Sequence, residues 1–247
     1  MTKILVLKRG GTRYGSGMTL TLADSLLRLN SETCRSFRSG SAGSGDRALP
    51  AVILMTDTRR GSPLRAAQAL PAGAAVLIRN YDDPAREILA LRLATVARRR
   101  RLVLMLAVKD PVRDLDLALR IGAGGLHLPE GILRSVGLTR LRLWRQGGVG
   151  RFITAAAHSL PAVLRAQRAG IDAVLVSPVF PTLSHPGSPV LGLRPVRACV
   201  RHSRIPVLAL GGLSLSTVRS LTGSGVWGGA AIGGLVPERS PITETPR

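Results

Sequence analysis

Aromatic residues make up only 3% of this 247-residue chain. A core must then be built from Leu, Val, Ile and Ala, and stacking platforms for nucleobases are nearly absent. Cysteine occurs twice, at Cys34 and Cys199. That excludes a disulfide framework and a cysteine metal site, and it fits a reducing, cytoplasmic setting. No apolar run approaches the roughly 18 residues of a membrane span, and no signal-peptide core follows the basic first residues. Acidic residues number only 14 against 35 Lys and Arg, for a net charge of +21. Lysine is confined to Lys3, Lys8 and Lys109, so the excess is arginine.

Such a balance suits anionic partners: nucleic acid, anionic lipid or phosphorylated small molecules. The arginines are scattered. Only Arg98–Arg101 form a run, at the expected C-terminal end of a helix, where cations complement the macrodipole. We read that run as a solvated face, with an anion contact as the alternative. No nucleic-acid motif is present, so phosphorylated small molecules are the favoured ligands and nucleic acid is disfavoured.

Residues 1–48 are rich in Gly, Ser and Arg ("RGGTRYGSG", "RSFRSGSAGSGDRALP") and read as a flexible extension. Within it "TLADSLLRLN" predicts one short amphipathic helix, with Thr19 or Thr21 as its cap. Residues 237–247 read as a loose tail. Between them, 49–236, the pattern is regular. Short apolar runs at 51–57, 74–79, 101–108, 124–128, 150–157, 172–177, 206–210 and 227–234 predict eight strands. Helical segments alternate with them. Ser62 before Pro63, and Asp83, are expected helix caps. The strands are continuously apolar, as parallel strands covered by helices are. Eight such units predict an α/β fold, the (β/α)8 TIM barrel in a single domain; a doubly wound sheet is the alternative.

In a TIM barrel, chemistry collects at the C-terminal ends of the strands. The residues there are Asp57, Arg79, Asn80, Lys109, Asp110, His127, Glu130, His158 and Ser177, then the loop "SPVFPTLSHPG" with Thr182, Ser184 and His185. That loop has far more hydrogen-bonding capacity than a turn requires. Three of the four histidines lie at this rim, and histidine alone titrates near neutrality without perturbation. His127 sits in an apolar run, as a structural hydrogen-bonding residue or a ligand contact. His158 follows three alanines, as a general acid/base or as a helix cap. The pairs Gly211–Gly212 and Gly233–Gly234 follow strands seven and eight, where backbone N–H groups of barrels approach phosphate. Asp57, Asp110 and Glu130 are expected to share a Mg2+ ion, which takes oxygen ligands; the alternative for Asp110 is a plain loop position before Pro111.

Four segments carry a resemblance. "GAGGLHLPE", "DAVLVSPVFPTLSHPGSPVLG", "IPVLALGGLS" and "GAAIGGL", in this order, resemble the thiamine phosphate synthase family and its sister, the thiazole tautomerases. The resemblance covers residues 50–236. It implies a cytoplasmic transferase of thiamine biosynthesis. Such enzymes join hydroxymethylpyrimidine diphosphate to thiazole phosphate with Mg2+ and release pyrophosphate. Catalytic roles fall to Arg79, His158 and His185. Substrate and phosphate contacts fall to His127, Ser177, Thr182, Ser184 and the two glycine pairs, and metal ligation to Asp110 and Glu130. The chain departs from the family at strand two: where the family reads Gln-x-Arg-x-Lys, it has Leu77, Arg79 and Tyr81. The sister reaction, a proton shift on thiazole phosphate, is implied by His158–Ser159. A non-catalytic phosphate-binding barrel is the third reading, and a homo-oligomer is compatible with all three.

Overall fold

A computed structural model describes residues 21–37, 49–132, 138–182, 187, 189–232 and 235. Eight parallel strands close into a barrel in sequence order. They are β1 (Val52–Met55), β2 (Ala75–Ile78), β3 (Val103–Ala107), β4 (Gly125–Leu128), β5 (Phe152–Ala157), β6 (Ala173–Val176), β7 (Val207–Leu210) and β8 (Gly228–Ala231). β1 pairs with both β2 and β8, which leaves no edge. The (β/α)8 barrel predicted from the apolar runs is therefore the fold, and the doubly wound sheet is not.

Each strand alternates between two apolar layers. Ile53, Met55, Ala75, Leu77, Met105, Phe152, Leu175 and Leu208 point into the barrel and fill it. Val52, Leu54, Val76, Leu106, Leu126, Val174 and Ala209 point out, under the helices. This double burial is why the strands read as unbroken apolar runs. Among the described residues, Phe152 is the one aromatic ring fully buried in the interior. It fits because β4 offers Gly125 beside it: a Cβ there would lie 2.7 Å from the ring.

The covering helices are α2 (Pro63–Ala69), α3 (Arg86–Arg100), α4 (Pro111–Arg120), α5 (Thr139–Gln146), α6 (Leu160–Arg168), α7 (Leu193–His202) and the short α8 (Leu215–Val218). Caps set several starts. Ser62 accepts from Arg65 N and Ser159 from Ala162 N, each followed by proline in the first turn. Asp83 was expected to cap α3, but its side chain accepts from Ala85 N in the preceding turn, and the helix begins at Arg86. Arg98–Arg100 close α3 and are exposed, at the barrel end away from the strand C-termini.

One expectation needs correction. The stretch from 21 to 37 lies inside the segment read as a flexible extension, where one short amphipathic helix capped by Thr19 or Thr21 is expected. It forms a 16-residue helix, α1 (Leu22–Phe37), docked on the barrel. Thr21 and Asp24 form a reciprocal cap: Asp24 N donates to Thr21 Oγ1 at 3.1 Å, and Thr21 N to Asp24 Oδ2 at 3.0 Å. Leu22, Ala23, Leu26 and Leu29 are buried against β8, β1 and α8. Gly229 on β8 admits them, since a Cβ there would stand 2.9 Å from Leu26 Cδ2. Asn30 Nδ2 donates to Trp227 O at 2.8 Å and Thr33 Oγ1 to Val226 O at 2.9 Å. An N-terminal helix thus covers the outer face where β8 meets β1. Residues 1–20 and the tail 237–247 lie outside the described residues.

Candidate active site

The strand C-termini bring the described members of the expected set to one rim, in two groups. The first group stands at β1 and β2. Asp57 follows β1 and is only 8% exposed. Its Oδ1 accepts from Arg59 N and Arg59 Nε, both at 3.1 Å, and its Oδ2 from Arg79 Nη2 at 3.4 Å. Arg60 Nε lies 3.9 Å away. The hydrogen bonds from Arg59, with help from Arg79, hold the Asp57 carboxyl below the usual carboxylate range, against the opposing effect of burial. Arg79 is also anchored through Nε to Thr56 O at 3.2 Å. Leu77, at the family's Gln position, is fully buried in the barrel interior. Tyr81, at the family's Lys position, packs against the interior cluster under the guanidinium of Arg86, and burial pushes its phenol pKa up.

The second group stands at β4, β5 and β6. His127 faces the barrel interior and is 4% exposed. Its Nδ1 lies 2.9 Å from Thr154 Oγ1, and that hydroxyl lies 3.1 Å from Leu126 O. A carbonyl only accepts, so the threonine proton goes to Leu126 and the His127 Nδ1–H donates to Thr154. The lone pair stays at Nε2. Burial lowers the His127 pKa to about 4, so the ring is neutral at physiological pH. The structural reading of His127 accounts for one ring nitrogen, through its bond to Thr154.

His158 is exposed at the end of β5. Its Nδ1 lies 2.7 Å from Ser177 O and 3.4 Å from Ser177 Oγ. The carbonyl only accepts, so Nδ1–H donates to it and Nε2 is the ring nitrogen left over for another partner. The helix-capping alternative belongs to its neighbour, since Ser159 caps α6. Glu130 accepts from His158 N at 2.9 Å through Oε2 and from Arg165 Nη2 at 2.8 Å through Oε1. Glu130 therefore ties the β4 loop to the His158 backbone and to α6.

The glycine pair after β7 is built around the loop after β6. Val179 N donates to Leu210 O at 2.9 Å and Phe180 N to Gly211 O at 3.1 Å. A Cβ on Gly211 would lie 2.9 Å from Pro178 Cα, and one on Gly212 would lie 2.4 Å from Pro181 O. Both residues also hold positive φ, 96° and 65°, where side chains are strained. The N–H groups of Gly211, Gly212 and Leu213 find no acceptor among the described residues. Ser177 and Thr182 flank this turn. Ser184, His185, Gly233 and Gly234 lie outside the described residues.

The sequence model of the thiamine monophosphate synthase family matches residues 52–235. A thiamine-phosphate synthase of Roseiflexus castenholzii is 30% identical over 179 residues, covering 72% of this chain and 75% of that one. One from Methanoregula boonei is 36% identical over 126 residues, 49% of this chain and 55% of the relative. Among solved structures, the thiamine phosphate pyrophosphorylase of Pyrococcus furiosus superposes with a TM-score of 0.60 at 25% identity, covering 75% of this chain and 86% of that one. The chain belongs to the thiamine monophosphate synthase family.

Synthases of this family are transferases of thiamine biosynthesis, and they are generally Mg2+-dependent. The carboxylates expected to hold that ion are committed elsewhere. Asp57 is enclosed by three guanidinium groups. Asp110 caps α4, accepting from Val112 N at 2.9 Å and Arg113 N at 3.3 Å. Glu130 is paired with Arg165. Buried Asp114 accepts from Arg86, from Lys109 N and from Asp110 N. Among the described residues no three of His, Cys, Asp or Glu come together as a metal site. These residues do not fit a Mg2+ ligand set. Sequence reasoning missed Arg59, Arg60 and Arg165; the first two stood in plain view in "TDTRR", next to the one rim acid that follows β1.

Proposed function

We propose that this chain joins hydroxymethylpyrimidine diphosphate to thiazole phosphate, releasing pyrophosphate and forming thiamine phosphate. The C–O bond to the diphosphate breaks, its electron pair leaves with the diphosphate, and the thiazole nitrogen bonds the freed methylene carbon. The protein's work is positioning and charge stabilisation. Arg79 faces the leaving diphosphate. The unpaired N–H groups of Gly211 and Gly212 hold the thiazole phosphate, with Ser177 and Thr182 near it; the resemblance adds Ser184, His185 and Gly233–Gly234, which lie outside the described residues. His127 accepts a hydrogen bond from a substrate donor through Nε2. Both substrates are phosphorylated small molecules met in the cytoplasm. No helix among the described residues is long and apolar enough to cross a membrane. The resemblance adds Mg2+ as cofactor, with Asp110 and Glu130 as its ligands; no step here is routed through it, because those side chains are otherwise engaged.

The observation that carries this reading is the glycine turn with bare N–H groups seated against the β6 loop, inside a chain matched to the family over 52–235. A second reading rests on His158, whose free Nε2 suits a proton shift on thiazole phosphate without a second substrate. One experiment separates them. Purified protein is given both substrates, and thiamine phosphate is quantified by chromatography for the parent and for His158→Ala. The synthase reading expects product from the parent. Absence of product from the parent refutes it. Thiazole isomer exchange abolished by His158→Ala then establishes the second.

A further inference from the structure

The basic group at β1 and β2 is more than a surface charge cluster. One carboxylate, Asp57, organises three guanidinium groups, so the cluster keeps a net charge of +2. Asp57 itself is nearly fully enclosed, with a side chain 4% exposed. Arg79 is held at two points, Nε on Thr56 O and Nη2 on Asp57 Oδ2, while its side chain stays 27% exposed. Its Nη1 is unpaired among the described residues. A guanidinium pinned on one edge presents its other edge with little further loss of freedom, and that fork matches the oxygens of a phosphate. Arg59 and Arg60 flank it on the exposed side.

A divalent cation is poorly served here. It would have to displace the arginines from Asp57 and sit within their field, and Glu130 is already paired with Arg165. The charge a diphosphate brings is opposed by cations that are already in place. Resting on the synthase reading, we infer that Arg59, Arg60 and Arg79, organised on Asp57, form a diphosphate clamp that works without a divalent cation.

The test is calorimetric titration of the full chain with inorganic pyrophosphate, once in EDTA and once in excess Mg2+. Binding is expected in EDTA, with a Kd within about threefold of that in Mg2+. Arg79→Lys, which keeps the charge and loses the fork, is expected to weaken it by about tenfold. The double change Arg59→Ala and Arg60→Ala, at exposed side chains and with Arg79 left on Asp57, is expected to weaken it by a similar factor and to flatten its salt dependence. Binding that appears only with Mg2+, or that ignores both variants, overturns the clamp. Thiamine phosphate formation is followed in parallel. Product formed with Mg2+-dependent pyrophosphate binding sinks the clamp and leaves the synthase reading standing. Pyrophosphate held in EDTA with no product sinks the synthase reading and leaves the clamp.

Discussion

Replacing Leu26 by Ala tests whether the barrel domain begins at α1 rather than at residue 49. Leu26 is fully buried on the face that meets β8, and its Cδ2 occupies the space left by Gly229. Truncating a buried leucine costs about 2–5 kcal/mol, the transfer of the lost carbons plus the cavity they leave. The upper part of that range applies where the site cannot collapse. Here the floor is strand backbone, which moves little, so about 3 kcal/mol is a fair central figure. For a chain of this size each kcal/mol moves Tm by about 2–4 °C, so the shift is roughly 6–12 °C. Leu27, one residue along and 39% exposed, supplies the control. Leu27→Ala shares any loss of helix packing generic to α1 and should cost less than about 1 kcal/mol. Thermal melts of both variants by circular dichroism, beside the parent, give the comparison. If Leu26→Ala melts together with Leu27→Ala, α1 is not part of the cooperative core and the reasoning fails.

Two other perturbations bear on the site. His127 is kept neutral by burial, with a pKa of about 4 against an ordinary 6.5. Above pH 6.5 both folded and unfolded chains leave it uncharged. As pH falls below 6.5 only the unfolded chain takes the proton, so stability is lost progressively down to about pH 4, by about 3 kcal/mol in all. Urea melts near neutrality and near pH 4 should show a smaller acid loss in His127→Asn than in the parent; equal losses would refute the assignment. Gly212→Ala places a methyl 2.4 Å from Pro181 O at a φ of 65°. It should cost about 1–3 kcal/mol in backbone strain and abolish thiazole phosphate binding in calorimetry; unchanged binding would remove the glycine turn from the site.

What was legible in the sequence follows from the range of the interactions. The strands were legible because burial on both faces leaves an unbroken apolar run, as in Val52–Met55 and Ala173–Val176. The cap at Ser62 was legible because cap, proline and recipient N–H lie within a few residues; Ser159 carries the same local pattern, but the cap was read at its neighbour His158. The docking of α1 was not. Asn30 and Thr33 find their acceptors 197 and 193 positions away, and nothing local announces that. The rim was legible as a set of positions but not as a set of pairings. Asp110 looked like a metal ligand, while its carboxylate serves the first turn of its own helix, a short-range bond that Asp-Pro before a helical segment signals. Glu130 meets partners 28 and 35 residues downstream, at the end of the neighbouring β5 and on its helix, and only the β4–β5 pairing brings them together.

The two rim groups are stiffened in different ways, and this bears on why the β6 loop is so densely polar. Around Asp57 the holding is ionic: one buried acid sets the arginines, and each guanidinium keeps spare donors for an incoming anion. From β5 to β7 the holding is by backbone. Val179, Phe180, Leu191 and Gly192 each use main-chain N–H groups to bind the loop to β7 or to itself. Ser177 O in turn fixes the tautomer of His158. Main-chain bonds and close contacts at Gly211 and Gly212 therefore do the work of shaping this loop. The turn itself thus rests on main-chain bonds around Gly211 and Gly212, and under the proposed function the polar side chains of this loop are the groups offered to a phosphorylated substrate.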